Sequence, residues 1–492
     1  MNSEHDSSRR NLLKGSLIAA AVATTPFLGT LQAFGARQAQ GAGAGLAKSS
    51  YGPLRPVKDM STGLELLQLP EGFQYKSFSW TGDLMENGQP VPGSHDGMGV
   101  IAVNKGPHGP EIVLVRNHEG GTGRLIEASG IYDEVTLANG QRPAGGTTNL
   151  YVPRGVGEPV RTLPSLGGTR SNCAGGVTPW GTWLSCEETT ADYTSAGGRA
   201  HGYVFEVGAE PSMTTAQPII QMGRFAHEAV AVDPRNSYVY LTEDARNRSG
   251  YYRYLPIDAS QRPGSLAVGG ILQAARVKDQ VRADLLAPRA GDSYQLEWVE
   301  VPNPDLAPQA GGSGPFVQAR EAGGLTMSRG EGIWHSEGKL YIVDTSAGTD
   351  AQGRAGYGEG AVWMHDLATD RLTCIFASSD AVTANNPDNI TVSPRGGVLL
   401  CEDGGGVVDA YGFGERLVGL TTAGEAYIFA KNNIVFDDVQ AATAGKKVSG
   451  GDYRNREFCG ACFDPSGHFL FVNVQTPGVT FAIWGPWAKG SL

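Results

Sequence analysis

The sequence has little that would indicate a disulfide-held fold, a nucleic-acid binder or a membrane-spanning protein. Its 492 residues include only six cysteines, too low a density for a disulfide scaffold. Acidic residues outnumber basic ones and give a formal net charge of -11, which argues against a nucleic-acid partner because such a partner needs a basic face. The apolar stretch near the N-terminus is too short and too weakly apolar for a stable membrane span.

Several common catalytic motifs are also missing. No GxSxG, HExxH or GxxxxGK[ST] segment occurs, so the serine-hydrolase elbow, the zincin helix and the phosphate-binding P-loop have no support. Cys459 and Cys462 have CxxC spacing, but no second CxxC completes a tetrahedral zinc site. Core thiols or one disulfide remain the alternatives for these two residues.

The N-terminus carries the pattern of a twin-arginine export signal. Paired arginines, two leucines and a lysine lie within residues 9–14, and a mildly apolar, alanine-rich stretch follows them. Cleavage after Ala36 and cleavage after Ala44 both fit the pattern. We therefore expect residues 1–44 to be a signal peptide with a short linker, read by the twin-arginine export machinery. Residues 45–492 would then form a single domain in the periplasm or outside the cell.

Glycine and proline are abundant, with 70 and 28 residues, and this composition favours many short strands joined by tight turns. A turn, an apolar strand and a polar strand end recur along the chain, whereas long amphipathic helical patterns are scarce. The apolar strands are 112–115, 183–184, 238–241, 340–343, 398–400 and 469–472. This repetition predicts an all-β fold, a six-bladed β-propeller. A pair of packed sheets in an eight-stranded sandwich is the alternative.

Acidic residues recur at the ends of these strands, and a propeller would gather them. The innermost strand of each blade lines the central channel, so equivalent strand ends converge near one mouth. Oxygen ligands gathered in this way suit hard cations such as Ca²⁺, although solvated carboxylates are the alternative. The candidates at the strand ends are Glu119, Glu188, Asp244 and Glu402. A second ring just ahead of the inner strands comprises Glu228, Glu331 and Asp388, with the segment Ser94–Met98 as the candidate equivalent in the first repeat.

Two cysteines lie close to these acids and are interpreted differently. Cys173 belongs to the second ring, and a thiolate is a soft ligand that suits iron and is of little use to calcium. A buried core thiol is the alternative for Cys173. Cys186 lies inside an apolar strand, so we interpret it as core packing. The two rings together predict a polynuclear metal site.

Motifs from about His95 to the C-terminus resemble those of the PhoX-type alkaline phosphatases. They are Asn172-Cys173 with the following Gly-Gly, Thr178–Trp183, Cys186-Glu187-Glu188, Asn117-His118-Glu119, Gly223-Arg224-Phe225 with His227-Glu228, Glu331-Gly332, and Phe463–Gly467 with Asn473–Gln475. The resemblance implies a six-bladed propeller with a mixed cluster of Fe³⁺ and Ca²⁺ in its central channel. It also implies hydrolysis of small phosphate monoesters in the periplasm or outside the cell.

The resemblance assigns roles to individual residues. Cys173 would bind iron, with Glu228 beside it. The residues that would supply oxygen to iron or calcium are Glu119, Glu187 or Glu188, Asp244, Glu331 and Asp388. An arginine expected ahead of the Pro-acidic pair is replaced by Asn385-Asn386, so Arg329 or Arg224 would bind phosphate instead. The chain is also shorter than well-studied members, which implies lost insertions near the active-site mouth.

Three functional hypotheses follow, and a metal ion enters all of them. The leading one is a secreted, monomeric, metal-dependent phosphatase. A calcium-dependent lactonase or arylesterase is the alternative enzyme, and a non-catalytic metal-binding propeller is the alternative from outside the enzymes. Cys173 separates the two enzymes, because a phosphatase with iron needs the thiolate whereas a lactonase does not.

Overall fold

The computed structural model describes residues 46–106, 109–154, 160–421 and 423–492. Within these residues the regular structure is almost entirely β-strand, with two short α-helices, α1 (Gly314–Glu321) and α2 (Asp438–Thr443). The predicted export signal and linker, residues 1–44, lies outside the described residues. In the described part, no helix has the length and apolar character needed to cross a membrane.

The strands are short, and most are joined by turns, as the glycine and proline content predicts. In chain order they are β1 (Leu54–Val57), β2 (Leu67–Pro70), β3 (Gln74–Phe78), β4 (His95–Gly106), β5 (Gly109–His118), β6 (Thr122–Gly123), β7 (Gly130–Ile131), β8 (Arg142–Pro143), β9 (Gly145–Pro153), β10 (Arg161–Thr169), β11 (Asn172–Val177), β12 (Trp183–Glu187), β13 (Val204–Val207), β14 (His227–Val232), β15 (Val239–Glu243), β16 (Tyr251–Pro256), β17 (Gly270–Val277), β18 (Ser293–Glu300), β19 (Gly330–Ser336), β20 (Lys339–Asp344), β21 (Ala361–Asp366), β22 (Arg371–Ala377), β23 (Pro387–Val392), β24 (Val398–Glu402), β25 (Val407–Asp409), β26 (Gly412–Gly414), β27 (Arg416–Leu420), β28 (Ala426–Asn432), β29 (Val435–Phe436), β30 (Gly451–Asp452), β31 (Phe458–Phe463), β32 (Leu470–Val474) and β33 (Val479–Trp484).

The strands are arranged as a propeller. Among the described residues, the inner strands β4, β11, β14, β19, β23 and β31 contact one another in turn and close a ring. Each inner strand is paired antiparallel with the strand that follows it, namely β5, β12, β15, β20, β24 and β32. The all-β, propeller-like prediction is therefore confirmed.

The division into sheets differs from the prediction of six separate blades, which is wrong at this level. The described strands form five sheets of three or more strands, not six. The cause is the pairing of β18 with β22, which joins the third and fourth repeats into one nine-stranded sheet. β18 is an outer strand of the third repeat and β22 is an outer strand of the fourth. Sequence periodicity does not indicate that two such strands will pair.

Strands from the N-terminal part complete two sheets near the end of the chain. β3 pairs with β33, and β2 pairs with β28. This pairing ties the first described strands to the last, so the ring of inner strands is held closed by backbone hydrogen bonds. Apolar side chains fill the space between neighbouring sheets, including the fully buried Trp363 and Tyr341, and burial of each large apolar side chain stabilises the fold by about 1.5–3 kcal/mol.

Candidate metal centre

The second residue of every inner strand carries a polar or thiol side chain. In chain order these residues are Asp96, Cys173, Glu228, Glu331, Asp388 and Cys459. In the first five strands the residue lies within a break in the pairing register, and in the sixth the break follows it directly. A β-bulge leaves a residue unpaired and re-aims its side chain. The break therefore explains how a channel-lining strand presents a carboxylate or thiol to a common centre.

The first residue after each partner strand forms a second set. These residues are Glu119, Glu188, Asp244, Thr345, Asp403 and Gln475. The backbone N–H of each donates a hydrogen bond of 2.7–3.3 Å to the carbonyl two positions before the corresponding inner-strand residue. For example, the Glu188 N–H donates to the Ser171 carbonyl at 2.7 Å. One repeated backbone bond thus holds the two sets at the same mouth of the channel.

Ten of the described side chains make up what we call the donor cluster. They are Asp96, Glu119, Cys173, Glu188, Glu228, Asp244, Glu331, Asp388, Asp403 and Glu457. They fall into five overlapping groups of three, and the ligand atoms of each group lie within 4.8 Å of one another. The groups share members, so the cluster is continuous. It borders a cavity of about 240 Å³ whose lining also includes Arg329, Asn455, Arg456, Cys459 and Gln475.

The protonation behaviour of the donor cluster reflects burial and crowding of like charges. Burial and the neighbouring carboxylates raise the pKa of Glu188, Glu228 and Glu331 well above the usual glutamate value. The same two causes raise the pKa of Glu119 and of Asp388 to about 7. Carboxylates gathered in this way are expensive to ionise together unless cations lie between them.

Asp244 is the exception among these acids. Burial acts to raise its pKa, but hydrogen bonds and charge from Arg329 hold the pKa below its usual range. The Arg329 Nε and Nη2 atoms donate to the two Asp244 oxygens at 2.7 and 2.6 Å. The same Nη2 lies 2.7 Å from Glu331 Oε1. Arg329 therefore fixes two members of the donor cluster in place.

The residues present fit a bound metal. The fully buried Glu228 leaves its Oε2 atom without a hydrogen-bond partner among the described residues, and such an orphaned polar atom is costly unless something satisfies it. The Cys173 thiol is 8% exposed and lies 3.7 Å from Asp96 Oδ2. A thiol with carboxylates suits a transition metal such as iron, and oxygen-only groups suit calcium.

Most of the metal ligands predicted from the sequence lie together. Glu119, Cys173, Glu188, Glu228, Asp244, Glu331 and Asp388 are all members of the donor cluster. Arg329 lines the same cavity. That these side chains bind metal stays a prediction, but the structure brings seven residues from five separate repeats to one place.

Glu187 does not belong to this cluster, which corrects its assignment as a ligand. The side chain is fully buried, and His201 Nδ1 lies 2.6 Å from its Oε1. The backbone N–H groups of Arg170, Gly202 and Tyr203 donate to the same carboxylate at 2.8–3.2 Å. Its oxygens are already occupied, so Glu188 alone is the candidate ligand of this pair.

Glu402 likewise holds the fold together and does not face the cavity. It is fully buried and forms an ion pair with Arg416 through hydrogen bonds of 2.6 and 2.7 Å. Its neighbour Asp403 occupies the place in the donor cluster. Other repeats share one feature with this one. The side chain of the last residue of the partner strand accepts a hydrogen bond from a backbone N–H in the segment ahead of the inner strand. The pairs are Glu187 with Arg170, Asp344 with Ser328 and Glu402 with Asn385.

Arg224 lies away from the cavity, which corrects its predicted role in phosphate binding. Its Nε donates to the His201 carbonyl at 3.0 Å, and its Nη2 forms an ion pair with Asp192 at 3.2 Å. The side chain is 5% exposed and does not line the cavity. Arg224 therefore supports the loop around Asp192.

Sequence reasoning missed Glu457 as a candidate, and it gave Asp403 and Cys459 no role at the site. Glu457 lies just before β31, at the position whose carbonyl accepts the N–H of Gln475 at 3.3 Å. Arg329 has the equivalent position just before β19, and its carbonyl accepts a hydrogen bond from the N–H of Thr345, the residue after β20, at 3.0 Å. A comparison of the residues that directly precede each inner strand could have identified Glu457 from the sequence.

Comparisons with known proteins support the fold described above. The family model described as alkaline phosphatase PhoX matches residues 49–478. Among solved structures, Pseudomonas fluorescens PhoX in complex with vanadate, a transition-state analogue, matches at 17% identity with a TM-score of 0.60, over 89% of this chain and 99% of that chain. At this identity the match supports the fold.

A weaker structural match is virginiamycin B lyase from Staphylococcus aureus. It is 11% identical, with a TM-score of 0.35, over 84% of this chain and 99% of that chain. This score is too low to carry a functional argument. A comparison with curated proteins gives no match.

Proposed function

The chain belongs to the alkaline phosphatase PhoX family, whose members hydrolyse phosphate monoesters, and from this premise we propose that its donor cluster holds iron and calcium for that reaction. The observation that carries the proposal is the cluster itself. Nine carboxylates and one thiol, contributed by six repeats, form one continuous cluster, and seven of these ten side chains line a cavity of about 240 Å³. Propeller geometry brings strand ends together, but burying this many carboxylates side by side is costly unless cations lie between them.

The donor groups divide by chemistry. Cys173, Glu188 and Glu228 would hold iron, because theirs is the group with a thiol. The oxygen-only groups, such as Asp388 with Asp403 and Glu457, would hold calcium. Bound cations supply Lewis acidity and neutralise the charge of phosphate oxygens.

Polar neighbours would keep the ligands oriented before any substrate arrives. Gln475 Nε2 donates to Glu119 at 2.8 Å, and Asn389 Nδ2 donates to Asp388 at 2.8 Å. Such partners fix the direction in which a ligand oxygen points. Burial of the inner-strand carboxylates also keeps bulk water away from them and strengthens their attraction for a cation.

The architecture and the location of the protein extend the proposal. The ring contains six inner strands, each with its partner strand, and the third and fourth of these pairs share one sheet through the β18–β22 pairing. The paired Arg9 and Arg10 support export by the twin-arginine route to the periplasm or beyond, and the proposal takes the exported protein to be a monomer. Replacing both arginines with lysine should leave the precursor in the cytoplasm on cell fractionation, and unchanged export would contradict this part.

Metal analysis combined with a phosphatase assay tests the proposed function. Protein exported by its own signal should contain iron and calcium and should hydrolyse p-nitrophenyl phosphate at alkaline pH. Exhaustive chelation should abolish the activity, and return of the two metals should restore it. Full activity with neither metal present would refute the proposal, and turnover of a lactone without turnover of the phosphate ester would favour the calcium-dependent lactonase.

A further inference from the structure

Two arginines line the cavity, and only one of them is already engaged. Arg329 spends its Nε and Nη2 atoms on Asp244 and Glu331. Those two carboxylates balance the positive charge of Arg329, so its attraction for an incoming anion is weak. Arg456, in the turn just ahead of β31, lines the same cavity from an exposed position.

The Arg456 guanidinium has no hydrogen bond or ion pair within the described part of the chain, although its backbone is firmly held. Its N–H donates to the Tyr453 carbonyl at 2.9 Å. The fully buried Asn432 donates through Nδ2 to the carbonyls of both Tyr453 and Arg456, each at 2.9 Å. A fourth hydrogen bond, from the Glu415 N–H to the Arg454 carbonyl at 2.8 Å, fixes the middle of the turn. These hydrogen bonds hold the backbone of the turn in place, and the guanidinium group of Arg456 remains able to bind an anion.

The expected arginine position offers no substitute cation. Asn386 Nδ2 donates to the carbonyls of Thr345 and Gly358 at 2.7 and 3.2 Å, and neither Asn385 nor Asn386 lines the cavity. Apart from the two arginines, the charged side chains of the lining are carboxylates, which can hold the metals but cannot donate hydrogen bonds to a phosphate ester when they are ionised. An anionic substrate therefore meets one uncommitted cationic side chain at this mouth.

We propose that Arg456 binds the phosphoryl oxygens of the substrate, in place of the arginine missing at Asn385-Asn386. The inference rests on the proposed phosphatase function. A guanidinium offers a planar fork of donors that matches two phosphate oxygens at once, which a lysine ammonium cannot do. Because Arg456 directly precedes Glu457, substrate binding and the donor cluster share one short segment of chain.

Three variants test the proposal. Arg456→Gln removes the charge, Arg456→Lys keeps the charge without the fork, and Arg454→Gln is the control on the same turn. Arg454 binds Asp452 at 2.6 Å and does not line the cavity. Rates for p-nitrophenyl phosphate are expressed per bound iron, so that loss of metal is not mistaken for loss of substrate binding.

Arg456→Gln should lower kcat/KM by about 10- to 100-fold, the range expected for hydrogen bonds to a charged group. It should weaken binding of inorganic phosphate to the metal-loaded protein by a similar factor. Arg456→Lys should fall between the wild type and Arg456→Gln, and Arg454→Gln should match the wild type. Equal effects of Arg454→Gln and Arg456→Gln, or a rate loss fully explained by lost metal, would overturn the proposal.

The phosphate-binding measurement separates this inference from the proposed function. If the wild type binds phosphate without hydrolysing esters, and Arg456→Gln weakens that binding, the inference stands while the phosphatase function fails. If the wild type hydrolyses esters and Arg456→Gln binds phosphate as tightly as the wild type, the function stands and the inference fails. A wild type that neither binds phosphate nor hydrolyses esters overturns both.

Discussion

Glu187 and Glu188 are adjacent in the chain, yet the structure predicts opposite consequences for replacing each with glutamine. Glu187 accepts hydrogen bonds from three backbone N–H groups and contacts His201 Nδ1 at 2.6 Å. Glu188 lies in the donor cluster, where burial and neighbouring acids raise its pKa well above the usual value. The pair therefore provides a matched test of which carboxylate is structural and which belongs to the metal site.

Glu187→Gln should destabilise the protein and leave its metals in place. The amide would turn a donor toward backbone N–H groups that need an acceptor, and hydrogen bonds to charged groups contribute about 1.5–3 kcal/mol each. Removing one partner of a buried charged network typically costs about 3–5 kcal/mol. We expect the free energy of unfolding to fall by that amount, with iron and calcium contents unchanged.

Glu188→Gln should do the reverse. It removes one of several crowded negative charges, so the chelated protein should become more stable at pH 8. A tenfold change in proton affinity corresponds to about 1.4 kcal/mol, and we expect a gain of at least about 1 kcal/mol. Iron content should drop in the same variant, because one of three ligands in the thiol-containing group is lost.

Urea unfolding of chelated protein, with metal analysis of untreated protein, measures both effects. The reasoning would be refuted if Glu187→Gln lost its metals at normal stability. It would also be refuted if Glu188→Gln destabilised the chelated protein while keeping its iron.

Further predictions concern a thiol, the pH and a buried ion pair. Cys173→Ser should lose iron and retain calcium on metal analysis, whereas Cys186→Ser, in the core, should retain both. Glu119 and Asp388 have pKa values of about 7 in the folded protein, above those of the same side chains in the unfolded chain. As the pH rises, the unfolded chain therefore releases these protons before the folded protein does. The free energy of unfolding of the chelated protein should thus fall between about pH 4 and pH 7. A metal-loaded sample serves as the control, and stability that rises over this interval would contradict the assignment. Arg416→Met should cost about 3–5 kcal/mol in thermal or urea unfolding, because it leaves a buried carboxylate unpaired, without changing metal content; a variant as stable as the wild type would show that the pair is dispensable.

The strand repeat could be predicted from the sequence because it depends on local chemistry. Turn residues, short apolar runs and polar strand ends recur along the chain, and their convergence follows from propeller geometry. The prediction therefore brought most of the donor cluster together. The β18–β22 bond was not predictable, since it joins outer strands whose contact depends on the length and path of intervening loops.

The choice between neighbouring acids could not be made from the sequence. A strand alternates its side chains between two faces, but the faces at a strand end depend on bulges and on which backbone groups lack partners. In the structure the last strand residue, such as Glu187 or Glu402, turns back toward its own blade, and the next residue faces the channel. Arg224 shows the same difficulty, because a guanidinium satisfies the nearest carbonyls wherever the fold places them.

The most direct test of a metal centre built from separate blades is anomalous diffraction at the iron absorption edge, on crystals of protein exported by its own signal. The account predicts an iron peak within bonding distance of Cys173 Sγ and of carboxylate oxygens from Glu188 and Glu228, with calcium among the oxygen-only groups. An active protein whose crystals show iron bound elsewhere, or no metal at Cys173, would contradict it.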